Sequence, residues 1–261
     1  MKVPTADFLH RLADAADRET VSRFRQKLEA TTKPKEGYRF DPVTEADREA
    51  ELAMRALISE EFPDHSIVGE EYGITGAGAC QWVLDPIDGT RPFLLGIPVW
   101  GTLIGFCEQG RATAGLMSQP ITRERFWARN GESWLTTDSA TTRLTTSACT
   151  QLSDAVLHTN SPEGVRRNPD VRFDVLDATV KMTRYGGECY AFAMLAAGHI
   201  DICVEFSLQP YDIVPLIPLV EAAGGTVTTF DGSRPENGGR IIASANEELH
   251  AAAISVLMRG R

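Results

Sequence analysis

The chain has 261 residues, 43% of them hydrophobic, which allows one large domain or two ordinary ones around a sizeable core. Its formal net charge is −10 and it carries no long basic run, which argues against nucleic acid as a partner. Five cysteines (Cys80, Cys107, Cys149, Cys189 and Cys203) form no C-x-x-C pair and read as reduced thiols of a cytoplasmic protein, and neither a leader-type apolar run nor a membrane-length segment is present.

Apolar residues at near-helical spacing predict one long amphipathic helix from Thr5 to Ala30. Thr31 to Asp41, with Lys33, Pro34, Lys35 and Gly37, breaks the pattern and reads as an exposed mobile loop. A second helix is expected from Thr44 to Phe62, with Thr44 as N-cap and Asp47 three residues on, close to a capping box. Ile67-Val68-Gly69 reads as a short strand running into Glu70 and Glu71. Apolar stretches at Trp100–Cys107, Ala112–Met117 and Arg125–Ala128, separated by turn signals, predict an antiparallel meander. The polar, Thr-rich run Thr136–Thr146 is the expected linker between halves at 1–143 and 144–261.

Beyond it the rhythm becomes strand, helix, strand, helix. Strands are expected at Ala155–His158, Ile200–Glu205, Thr226–Phe230 and Arg240–Ala243. Helices are expected at Asp174–Lys181, Glu188–Ala197 (closed by Gly198), Ile213–Ala223 (ended by Gly224-Gly225) and from Ser244 or Asn246 onward. Pro215 fits a first helical turn, whereas Pro218 is expected to kink the helix, for which the sequence offers no account. The order suggests an α/β second half.

One segment stands apart from this scaffold. Trp82-Val83-Leu84 leads straight into Asp85-Pro86-Ile87-Asp88-Gly89-Thr90, and two aspartates so close repel unless a proton or cation separates them. A hard cation such as Mg²⁺ takes oxygen ligands and is commonly held by one or two carboxylates plus a substrate phosphate. A plain polar turn explains Asp-Pro-x-Asp-Gly equally well when it stands alone. Asp47, Glu70 and Asp212 also fall at the ends of predicted elements, where loops present functional groups on a rigid scaffold.

In order, Gly69-Glu70-Glu71, Asp85-Pro86-Ile87-Asp88-Gly89-Thr90, and Tyr211-Asp212 followed by Glu221-Ala222-Ala223-Gly224-Gly225 resemble the motifs of the inositol monophosphatase superfamily of Mg²⁺-dependent, lithium-sensitive phosphatases. The third motif departs from the usual Trp-Asp but keeps the carboxylate. The resemblance runs from about Asp41 to the C-terminus. It implies an α+β fold, a layered αβαβα sandwich with an antiparallel sheet domain followed by a smaller α/β domain, and a homodimer. Glu70, Asp85, the carbonyl of Ile87, Asp88 and Asp212 would then hold two or three Mg²⁺ ions. Paired metals about 3.5 to 4 Å apart suit in-line displacement at phosphorus. Thr90 and Asp47 match the pair that activates a water of lowered pKa, and amides at Gly89 and Thr90 would hold the phosphate at a helix start. Taken alone, Asp47 and Asp212 read as helix-start acids. Lys33 and Lys35 match a mobile loop that in the family carries a lysine near the phosphate.

Substrate choice rests on other residues. Inositol-specific members usually have a small residue at the position of Glu188, and Glu205 matches a carboxylate that contacts substrate. Two carboxylates fit a cationic alcohol better than a neutral polyol, since each charge-assisted hydrogen bond is worth about 1.5 to 3 kcal/mol. The run Tyr185-Gly186-Gly187-Glu188-Cys189-Tyr190, with Gln209-Pro210-Tyr211-Asp212, is similar to the histidinol-phosphatase branch, which commonly has Asp where this chain has Glu188. Hydrolysis of L-histidinol phosphate, a step of histidine biosynthesis, is the expected reaction. The alternatives are an inositol-1-monophosphatase or broad-specificity sugar phosphatase, and a non-catalytic metal-binding regulatory member. The complete acid set speaks against the last.

Overall fold

The computed structural model describes residues 2–27, 31–32 and 42–258. The first helix, α1 (Ala6–Arg23), is capped by Thr5, whose hydroxyl accepts the Phe8 N–H at 3.2 Å. It stops earlier than its spacing predicts. Phe24 turns extended to pack against Phe93 and Trp100, and Arg25 takes a left-handed φ of 62°. Burial of one aromatic ring thus outweighs continued helix. Thr31–Thr32 (β1) pairs with Pro42–Val43 (β2), so the expected loop opens on a strand; Lys33 and Lys35 lie outside the described residues. The second helix, α2 (Glu45–Glu61), forms as expected with a complete capping box between Thr44 and Asp47.

Eight strands build the large sheet: β3 (Ser66–Gly69), β4 (Gly73–Thr75), β5 (Cys80–Asp88), β6 (Gly101–Glu108), β7 (Arg111–Gln119), β8 (Glu124–Arg129), β9 (Glu132–Thr136) and β10 (Thr141–Arg143), ordered β10-β9-β8-β7-β6-β5-β3-β4. The meander is antiparallel as expected, and within this sheet, among the described residues, only β3 and β5 pair in parallel. The short helix α3 (Thr90–Leu95) follows β5. The presumed linker contributes β10 at the sheet edge, because Thr141–Arg143 are β-formers placed opposite Trp134–Thr136.

Side chains alternate across this sheet. Trp82, Ile104, Phe106 and Leu116 pack under α1 and α2, while Leu103, Met117 and Phe126 face the other way. That second face meets α6 (Glu188–Ala196) and α8 (Leu216–Ala222), which rest in turn on a five-stranded sheet. Its strands are β11 (Val156–Thr159), β12 (Met182–Tyr185), β13 (Ile202–Leu208), β14 (Thr226–Thr229) and β15 (Gly239–Ser244), ordered β12-β11-β13-β15-β14. On its outer face α5 (Phe173–Thr179) and α9 (Glu247–Met258) bury Phe173, Leu176, Leu249 and Leu257, with α4 (Pro162–Arg167) beside β13. The layers are therefore αβαβα, the fold class expected.

The helix expected over Ile213–Ala223 is two pieces, α7 (Pro210–Ile213) and α8. This accounts for Pro218. The helix restarts at Leu216, so Pro218 sits in a first turn, where an N–H would have no acceptor within the helix. Gly105 and Gly115 lie opposite each other on β6 and β7, and a side chain on Gly115 would collide with the Pro215 carbonyl. The Val214–Pro215 corner consequently lies flat on the sheet and carries Asp212 to the end of β5. All five cysteines are free, with Cys149 half-buried and the rest buried. Among the described residues no helix is long and apolar enough to cross a membrane.

Candidate active site

Parallel pairing of β3 with β5 brings their C-terminal ends together, with Gly69 opposite Leu84. Glu70 therefore lands beside Asp85, its N–H donating to the Leu84 carbonyl at 3.1 Å. Past Asp85 the ladder to β6 is interrupted, because Pro86 has no N–H to give and the register shifts before Asp88. The Asp85 Oδ1 accepts the Ile87 N–H at 3.0 Å, and the Pro86 carbonyl accepts the Thr102 hydroxyl at 2.8 Å. This bulge fixes the Ile87 carbonyl, which accepts the Thr90 hydroxyl at 3.3 Å. Gly89, at φ 90°, then reverses the chain into α3.

Asp212 arrives from α7, held by the Gln209 N–H at 2.7 Å, while Asp88 accepts the Cys189 N–H at 2.6 Å. Carboxylate oxygens of Asp85, Asp88 and Asp212 lie within 4.8 Å of one another. Burial, then the charges of Glu70, Asp88 and Asp212, push the Asp85 carboxyl well above its ordinary range. Burial and Glu188 push Asp88 up to about 7. Such a set is costly as bare anions. It fits a hard divalent cation, since its donors are carboxylate oxygens close enough to share one ion, with the Ile87 carbonyl beside them.

Asp47 stands behind this cluster. Its Oδ2 accepts both the N–H and the hydroxyl of Thr44, at 2.8 and 2.6 Å, and its Oδ1 accepts the Thr90 hydroxyl at 3.4 Å. The helix-cap role and contact with Thr90 coexist. Glu70, Asp85, Ile87, Asp88, Gly89, Thr90, Glu188, Glu205 and Asp212 all line one cleft of about 360 Å³; Asp47 reaches it through Thr90.

Beside Asp88 and Gly89, Glu188 opens α6 at a φ of 47°, a left-handed conformation that is strained for a side chain of this size. Its carboxylate accepts the Asn160 side-chain amide at 2.6 Å. Glu205, on β13, accepts the Asn160 backbone N–H, also at 2.6 Å. Burial raises both carboxyls; the Asn160 hydrogen bonds and, for Glu188, the nearby Arg91 oppose the rise. Asn160, Arg91, Ser161 and Arg167 also line the cleft and were not anticipated. A usable signal existed: Ser161-Pro162 is a helix cap followed by a first-turn proline, which marks Asn160 as the end of a strand at a loop.

The inositol monophosphatase family profile matches residues 2–259. A histidinol-phosphatase of Streptomyces coelicolor is 38% identical over 95% of this chain and 94% of its own length. An inositol monophosphatase structure from Zymomonas mobilis superposes with a TM-score of 0.81 at 35% identity, covering 97% of this chain and 99% of the other. The extragenic suppressor protein suhB of Bartonella henselae gives a TM-score of 0.86 at 29% identity, covering 98% of both chains.

Proposed function

The chain belongs to the inositol monophosphatase family and is a phosphoric monoester hydrolase, and from that premise we propose that it hydrolyses L-histidinol phosphate to L-histidinol with Mg²⁺. The observation that carries the substrate is the pair Glu188 and Glu205, two half-buried carboxylates that line the same cleft as the acid cluster and share Asn160 as a hydrogen-bond partner. The histidinol portion carries an ammonium and an imidazole, both able to donate to such a pair. A neutral polyol offers the pair no positive charge. The Streptomyces relative supports this choice, and the Zymomonas structure supports inositol 1-phosphate or other sugar phosphates as the second reading.

In this reading Glu70, Asp85, the Ile87 carbonyl, Asp88 and Asp212 hold two or three Mg²⁺ ions, which would supply charge stabilisation for in-line displacement and a water of lowered pKa. Amides at Gly89 and Thr90 hold the phosphate. Thr44 pins one oxygen of Asp47, so the other is aimed at Thr90. Thr90 then orients the attacking water and passes its proton toward Asp47. Residues 1–143 supply most metal ligands, and 144–261 supply the selectivity residues and Asp212. The free thiols agree with a cytoplasmic location, and the family implies a homodimer, which light scattering would read.

The deciding experiment is a steady-state comparison of L-histidinol phosphate with inositol 1-phosphate in Mg²⁺. The ratio of kcat/KM should favour the former by at least about a hundredfold, the low end of the worth of two charge-assisted contacts. Equal or reversed values would reject the substrate.

A further inference from the structure

We infer that Asn160 is a positioning residue that fixes the spacing of Glu188 and Glu205 and so sets the selectivity of the cleft for a cationic alcohol; this rests on the substrate reading above. The geometry is specific to one residue. Asn160 spans two carboxylates that arrive from different elements, α6 and β13, giving its side-chain amide to one and its backbone N–H to the other, each at 2.6 Å. It engages one oxygen of each carboxylate, and both acids line the cleft.

Asn160 is itself held from both sides. It follows β11, an interior strand flanked by β12 and β13, and it precedes Ser161, whose hydroxyl caps α4 by accepting the Gly164 N–H at 3.1 Å. Glu188 needs such a partner. Its backbone is strained, its side chain lies over Gly89, and both Asp212 and Glu205 are acidic groups close enough to act on it or be acted on by it. Without the amide, repulsion from Glu205 and relief of the strained φ would both favour a different placement of the Glu188 carboxylate. A cation would then have to gather two loose acids instead of meeting a preformed pair, and preorganisation of this kind is a large part of binding affinity.

The two hydrogen bonds can be separated. Asn160→Ala deletes the amide to Glu188 and keeps the backbone N–H on Glu205. Asn160→Asp adds a negative charge to the cleft while removing the donor, and Asn160→Ser retains a short donor. The readout is the ratio of kcat/KM for L-histidinol phosphate to that for p-nitrophenyl phosphate, with Glu188→Gln measured in parallel. Asn160→Ala should lower the ratio about tenfold, mainly through KM for histidinol phosphate. Asn160→Asp should lower it at least as far, and Asn160→Ser should recover part of it. A raised ratio in Asn160→Asp would overturn the inference, because negative charge alone would then explain selectivity. Equal losses on both substrates would also overturn it, leaving only a structural role. If Glu188→Gln lowers the ratio and Asn160→Ala does not, the substrate reading stands and the inference fails. If neither substitution moves it, the substrate reading fails first.

Discussion

The carboxylate of Glu51 occupies the space where a side chain on Gly69 would begin. From there it accepts the N–H groups of Glu71 and Tyr72 at 2.7 and 3.2 Å, and the Arg55 guanidinium at 2.7 Å. Arg55 reaches on to the Thr75 hydroxyl and the Gly73 carbonyl, at 2.9 and 2.6 Å. Asp47, Glu51 and Arg55 are spaced four residues apart on α2, so one helix face carries the partner of Thr90 and braces the turn bearing Glu70. Gly69→Ala should displace Glu51 and lower Mg²⁺ affinity, measured by calorimetry, together with turnover. Glu51→Ala should cost about 3 to 5 kcal/mol in denaturant unfolding, because it strands the Arg55 charge and two backbone donors. Wild-type Mg²⁺ affinity in Gly69→Ala would show that the brace does not reach the metal site.

The sequence made much of this site legible because its acids sit at element ends, where period and turn signals are strongest. Asp85 and Asp88 follow an unbroken apolar strand, and Asp47 follows a capping threonine. The brace was not legible, since Glu51 and Arg55 look like any i, i+4 pair on a solvated helix face, and only the sheet shows that face to be buried. Asn160 was missed because its role depends on two acids 28 and 45 residues away. The early end of α1 was hidden for a related reason: the pocket that receives Phe24 is built from Phe93 and Trp100, far along the chain.

Metal binding should depend on pH in a calculable direction. The Asp88 carboxyl is raised from an ordinary value of 3.8 to about 7 in the folded chain, and Asp85 moves the same way. Between those values the folded state keeps a proton that the unfolded state has released, so this cluster makes the metal-free protein less stable as pH rises through that window. Mg²⁺ must displace the same protons. The rise in Tm on adding Mg²⁺ to EDTA-treated protein should therefore be larger near pH 7.5 than near pH 5, as read by scanning fluorimetry. An increment independent of pH would refute the cluster as the binding site.

Asp85→Asn tests the same cluster from the opposite side. Asparagine carries no charge to bury, so folding no longer has to take up the proton that burial and the neighbouring acids force onto Asp85, and the metal-free protein should gain about 1 to 2 kcal/mol. Turnover should fall by about a thousandfold or more, and added Mg²⁺ should not restore it, since a ligand and the charge it provides are gone. A more stable but inactive protein is the expected signature. Retained activity would remove Asp85 from the metal site.

Gly89 joins the Asp85–Asp88 turn to α3 and packs against the Glu188 side chain. Its φ of 90° is unfavourable for any other residue, and a side chain there would press on the Glu188 Cγ and the Pro92 ring, at 2.9 and 3.2 Å. Gly89→Ala should thus cost about 1 to 3 kcal/mol of stability through backbone strain. It should also push Glu188 off its Asn160 partner, because the backbone at Gly89, between Asp88 and α3, has less freedom to yield than a glutamate side chain. Activity toward L-histidinol phosphate should then fall further than activity toward p-nitrophenyl phosphate. Glu188→Ala, which removes the collision, provides the control: in that background Gly89→Ala should lose equally on both substrates. If Gly89→Ala alone already lowers both activities by the same factor, Gly89 acts only on the phosphate end of the cleft and the coupling to Glu188 is absent.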